Sequence, residues 1–219
     1  MLPSRDQLLF WGGDCAANVL LLDQWWRVVT SMFVHVGVIH LAVNMWCLWN
    51  LGLLAEPLLG SMGLMAAYIL TGAAGNLLST LAHEFNIMGS PDTVGAGASG
   101  AVFGLAGVLI VLLKSPLLPL PKSELSRLRK SVIYFAGINL LIGMGSMLSG
   151  SLLQVRIDNS AHIGGFCCGL LFAVPMVPRI GALRQQFLFR RNVAVALIVL
   201  LLVLFGFFLA QLNMPDPGN

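Results

Sequence analysis

Six stretches of about 20 mainly apolar residues, near 34–55, 61–82, 96–114, 131–149, 160–178 and 192–212, leave this chain few ways to fold. A segment buried in hydrocarbon must satisfy its own backbone N–H and C=O groups, and roughly 20 residues of helix cross the apolar core. With 58% of its 219 residues apolar and only 10% charged, the chain reads as an all-α polytopic membrane protein, one helical bundle with little chain left for a soluble domain. The opening MLPSRDQLLF, followed by GGD and CAANVLLLDQ, is too short and interrupted for a span or for a signal peptide's apolar core. Residues 1–33 are therefore expected as an outer loop, 34–178 as the core, and 179–219 as a linker with a last span. That last span, NVAVALIVLLLVLFGFFLAQL, is apolar all round and is expected at the periphery, against lipid.

The net charge of +3 invites a nucleic-acid partner, but its distribution argues against one. Lys114, Lys122, Arg127, Arg129, Lys130, Arg179, Arg184, Arg190 and Arg191 fall in two connections, whereas Arg5, Arg27 and Arg156 lie elsewhere. Nine of twelve positive charges thus gather on one side of an alternating topology. By the positive-inside rule, 114–131 and 179–191 face the cytoplasm. Residues 1–33, the loops near 83–95 and 150–159, and the tail NMPDPGN then face outward. Cys47, Cys167 and Cys168 lie in spans and Cys15 has no outside partner, so neither a disulfide framework nor a spaced metal site is expected.

Against this background the polar residues inside the spans stand out, since a strongly polar group at the centre of one costs about 2.5–3.5 kcal/mol on insertion scales. They are His35, His40, Asn44, Ser99 and His162. Singly, each is explained as a bond between neighbouring helices. As a set they say more. His40 and Asn44, four apart, share a helix face and can offer N–H groups to one point. Ser99 and His162 each begin a span entered from outside, on helices with small neighbours: Gly100 and Gly104 on one, Ala161, Gly165 and Gly169 on the other. Such faces allow the close approach that a serine needs to reach an imidazole base. The Ser99 backbone N–H, His40 and Asn44 are then candidate donors to an oxyanion. Asp158, four before His162 and nearer the surface, reads as a loop charge, which leaves a Ser–His dyad without an orienting carboxylate.

These residues closely resemble the rhomboid family of intramembrane serine proteases. The likeness runs through WWRVVTSMFVHVGVIHLAVNMWCLWNLGLLAEPLLG, the GASG of Gly97 to Gly100 within GAGASGAVFGLAG, and AHIGGFCCG, covering roughly residues 25–170. It implies Ser99 as nucleophile, His162 as general base, and His40 with Asn44 in the oxyanion hole. It also implies a supporting role for His35 near a water-holding cavity. Gly52, Glu56 and Gly60 match a pattern that shapes a helix end and inner loop, and Trp26 and Arg27 match a WR pair in a loop partly embedded in the bilayer. The substrates implied are transmembrane segments of other membrane proteins, cut at small residues where the helix unwinds easily, with access controlled by 131–149 and 150–159. No cofactor is implied, and the expected location is the bacterial plasma (inner) membrane.

One departure accompanies the likeness. A rhomboid core begins with a span before the WR loop, and the sequence opens at that loop, so the expectation is either that Met1 is internal to a longer reading frame, the favoured reading, or that this is a truncated form without the first core helix. The last span matches the appended helix of some bacterial rhomboids. Two other readings compete: a rhomboid-like chaperone or trafficking protein without activity, and a metal site of His35, His40 and His162. The metal site lacks H-E-x-x-H, because His83-Glu84 is followed by FNIMG.

Overall fold

In the computed structural model, residues 2–148, 157–179, 181 and 183–212 are described. Most of the loop expected at 150–159 and the tail from 213 lie outside them. Among the described residues four helices are long and apolar enough to cross a membrane: α4 (Val38–Leu59), α5 (Ser61–Glu84), α8 (Asn159–Ala173, continued by a 3₁₀ turn to Met176) and α9 (Arg184–Leu212). Between them lie α6 (Ser99–Leu112) and α7 (Lys122–Leu148). The chain is a helical membrane bundle.

Two expected spans differ from what forms. At 14 residues, about 21 Å long, α6 is shorter than its stretch, and almost every side chain on it is buried. It is the central post of the bundle. By contrast α7 begins well before 131, at the residue after Pro121, which ends a proline-punctuated connection and opens the new helix.

Around α6, packing is set by glycine. A methyl at Gly165 would overlap the Gly100 carbonyl, one at Gly169 the Gly104 carbonyl, and one at Gly104 the Thr71 side chain. Backbones of α5, α6 and α8 thereby touch directly. Without water to drive apolar association, this close contact is what holds such helices together. Between α4 and α5 the chain turns at Gly60, whose φ of 71° favours glycine. There Glu56 Oε1 accepts a hydrogen bond from Ser61 Oγ at 2.6 Å, while a methyl at Gly52 would meet nothing within 4 Å.

Within the segment 1–33, expected as loop, residues 2–33 carry ordered structure. Ser4 and Gln7 form a reciprocal capping box for α1 (Arg5–Phe10), followed by β1 (Asp14–Cys15), α2 (Ala16–Leu21) and α3 (Arg27–Thr30). β1 pairs antiparallel with β2 (Val94–Gly95), Asp14 opposite Gly95, so this segment is tied to the residues just before Ser99. Arg27 does not reach an interface as its pairing with Trp26 suggested. It is buried, its Nη1 donating to the carbonyls of Leu9 and Gly13 and its Nε to Gln24 Oε1, while Trp26 stays exposed beneath its guanidinium. A guanidinium has five N–H donors in a rigid fork, and here it gathers backbone acceptors that a local turn leaves open. At the far end, α9 is mostly exposed, and its Leu209 packs with Val19 and Val28 of the first segment.

One buried carboxyl in this segment makes folding depend on pH. Asp14 is 3% exposed and its carboxyl is raised from 3.8 to about 7, by burial first and by the negative charge of Asp158 second. Hydrogen bonds from Cys15 and Thr80, and the charge of Arg27, oppose the shift. The folded chain thus keeps the Asp14 proton where the unfolded chain has lost it. The stability this provides is fully present below pH 3.8 and is lost as pH rises through about 7. Unfolding temperature in detergent is expected to fall between about pH 4 and 7 and to level off above that, and Asp14→Asn to flatten that fall. Equal slopes in both proteins would remove Asp14 as the cause.

Candidate active site

Ser99, His40, Asn44 and His162, drawn from three helices, line one cavity of about 620 Å³. Ser99 is the first residue of α6, half-buried, with its backbone N–H outside the helical ladder and at the positive end of the helix. Gly97, just before it, has a φ of 141° that only glycine adopts readily. A methyl there would sit 2.6 Å from His40 Cε1, so the missing side chain lets the chain pass flat against the His40 ring. His35 acts on the same turn. Its Nε2 accepts the Ala98 backbone N–H at 3.4 Å, holding the residue before Ser99, and its ring lies 5.4 Å from that of His40.

On α4, Asn44 is buried and donates one amide N–H to the His40 carbonyl at 2.9 Å. That bond orients the amide and leaves its second N–H for another acceptor. The buried His40 Nδ1 has no hydrogen-bond partner among the described residues.

His162 sits in the first turn of α8, 4% exposed, with Nδ1 buried and without a hydrogen-bond partner among the described residues. Its imidazole lies on the ring of Phe103, centroids 4.1 Å apart and planes within 8°. Phe103 is one turn beyond Ser99 on the same face of α6, and it also meets Phe135 of α7 at 5.9 Å. A flat aromatic stack fixes the plane of a ring and excludes water from one side of it. No hydrogen bond joins Ser99 to His162 among the described residues, so the two face one cavity without a formed proton path. Reacting groups of this kind often tighten only when substrate arrives.

Two features escaped the sequence reading. Phe103 looked like one more apolar residue of a span, although its spacing of four from Ser99 is a signal once that serine is suspected. Asp158 is no mere loop charge. It is the N-cap of α8, its side chain accepting the backbone N–H groups of Ser160 and Ala161. Of the supporting small residues, Gly97, Gly100 and Ala161 line the cavity, the Ala161 carbonyl lying 3.3 Å from where a Gly100 Cβ would be, whereas Gly104, Gly165 and Gly169 stand at helix contacts outside its lining. Trp26, Arg27, Gly52, Glu56 and Gly60 do not line it. Among the described residues no three His, Cys, Asp or Glu gather as metal ligands.

Comparison with known proteins agrees with this arrangement of helices. The Rhomboid domain family matches residues 22–179. Rhomboid protease AarA of Providencia stuartii is 30% identical over 216 residues, covering 94% of this chain and 75% of that protein. Rhomboid protease GluP of Bacillus subtilis is 31% identical over 78% of this chain, and RHOMBOID-like protein 6, mitochondrial, of Arabidopsis thaliana is 34% identical over 82%. The matches span only 30% and 53% of those two longer proteins.

Proposed function

We propose, from the premise that this chain belongs to the rhomboid family, that it is an intramembrane serine endopeptidase working through a Ser99–His162 dyad. The observation that carries the reading is the convergence of Ser99, His162, His40 and Asn44 on one cavity at the head of a buried helix. Ser99 Oγ attacks the carbonyl carbon of an extended peptide, and His162 takes up the hydroxyl proton. The oxyanion is met by the Ser99 backbone N–H, by His40 and by the free N–H of Asn44. His162 then hands the proton to the leaving amine, and water hydrolyses the acyl-enzyme by the reverse sequence of transfers. Phe103 serves in place of an orienting carboxylate, holding the imidazole plane.

The substrates are transmembrane segments of other membrane proteins. A helical peptide bond is shielded by its own backbone, so cleavage favours small residues where the helix unwinds. Residues 34–178 form the protease core, with 179–219 as a linker and peripheral helix. The chain resides in a bacterial plasma membrane with 114–131 and 179–191 cytoplasmic, as their positive charges favour.

Reconstitution in liposomes with a reporter transmembrane substrate, together with fluorophosphonate labelling of Ser99, tests this reading. Cleavage and labelling are expected together. A folded chain that does neither is a non-catalytic relative. Asn44→Ala removes one of several oxyanion donors and is expected to lower kcat by about one to two powers of ten with folding intact. An unchanged kcat would take Asn44 out of the oxyanion hole.

A further inference from the structure

We infer that Asp158 is a positioning residue, a carboxylate latch that fixes the height of His162 against α5. The inference rests on reading Ser99 and His162 as the dyad. The Phe103 stack sets the plane of the imidazole but not the position of α8 along its own axis. Nor does the seam beside it, because Gly165 and Gly169 lie on the carbonyls of Gly100 and Gly104, and Gly164 on that of Ala74. Glycine seams bring backbones close yet offer few side-chain ridges against sliding.

Asp158 supplies a stop at the end of this seam. Its Oδ1 accepts the backbone N–H groups of Ser160 at 3.0 Å and Ala161 at 3.1 Å, along with the Ser160 hydroxyl. Its Oδ2 turns the other way, accepting the Ser79 hydroxyl of α5 and standing 3.8 Å from Nε2 of the buried His83. One carboxylate therefore grips the first turn of α8 with one oxygen and α5 with the other. His162 follows Ala161 directly, and its own backbone N–H bonds the Asp158 carbonyl at 3.3 Å. Meanwhile α6 is referenced to the same helix through Thr71, whose side chain fills the space a Cβ at Gly104 would take while its hydroxyl donates to the Ala67 carbonyl of α5 at 2.7 Å. Both halves of the dyad thus take their position from α5. A shift of 1 Å in such a pair can cost about a hundredfold in rate, the leverage this latch controls.

Three variants of the full chain in liposomes separate the two arms. Ser79→Ala removes the hydroxyl contact of the α5 arm and leaves its His83 contact and the cap, Asp158→Asn keeps an acceptor oxygen for the cap, and Asp158→Ala removes both arms. Measured for each are kcat and KM on the transmembrane substrate, the rate of fluorophosphonate labelling at Ser99, and the folded fraction. Expected are parallel losses in kcat and labelling, about a hundredfold for Asp158→Ala and about tenfold for Ser79→Ala, with Asp158→Asn recovering part of the alanine loss and KM staying within about twofold. Rates within about twofold of wild type in folded Asp158→Ala and Ser79→Ala would overturn the latch. So would losses that merely track the folded fraction. A folded wild-type chain that neither cleaves nor labels would instead strike down the dyad, and the latch with it.

Discussion

Ser99→Ala is expected to lower cleavage of a transmembrane substrate by about four powers of ten or more while leaving the bundle intact. The size of the loss follows from the chemistry. Without Oγ there is no covalent intermediate, and what remains is oxyanion stabilisation of a slow attack by water, in a cavity that keeps its other donors. The retained fold follows from the structure. Ser99 is half-buried at the start of α6, and its hydroxyl makes no hydrogen bond among the described residues, so its removal is expected to change stability by no more than about 0.5 kcal/mol. Parallel cleavage assays and thermal unfolding would check both halves. Cleavage surviving above about one hundredth of the wild-type rate would remove Ser99 as the nucleophile.

Gly165→Ala should be nearly as damaging, for an entirely different reason. The added methyl meets a backbone carbonyl, that of Gly100, not a side chain that can rotate aside. Relief requires α6 and α8 to part, and these helices carry Ser99 and His162. Overpacking costs about 1–3 kcal/mol where neighbours can yield, and rigid backbone yields least. A marked fall in unfolding temperature is expected, with cleavage reduced at least about a hundredfold in whatever remains folded. Gly137→Ala is the matched control. A methyl at that position of α7 meets nothing within 4 Å, and alanine is the better helix former by about 1 kcal/mol. Equal behaviour of the two variants would show that the glycine seam does not set the spacing of α6 and α8.

Much of this was legible from residues taken one at a time. The spans near 34–55, 61–82, 160–178 and 192–212 correspond to helices of spanning length, because lipid imposes a local rule: an apolar stretch must satisfy its own backbone. Ser99, His162, His40 and Asn44 could be named because polar groups inside spans carry a cost that calls for a reason. The N-terminal segment was harder to read. Short elements such as α1 and β1 have no long periodicity, and Asp14–Cys15 becomes a strand only because Val94–Gly95 runs beside it.

Lipid length rules and the chemistry of polar side chains therefore determined, from sequence alone, that the chain is a helical membrane protein and which polar groups within its spans call for a reason. Only the tertiary structure decided what those groups touch. Arg27 turned inward onto carbonyls from another turn, Phe103 became the rest for His162, and Asp158 reached across to Ser79, 79 residues away in the chain. The physical reason is that a side chain's identity is local, whereas the partner that satisfies it comes from wherever close packing brings another backbone within reach. In this chain, glycine decides that approach.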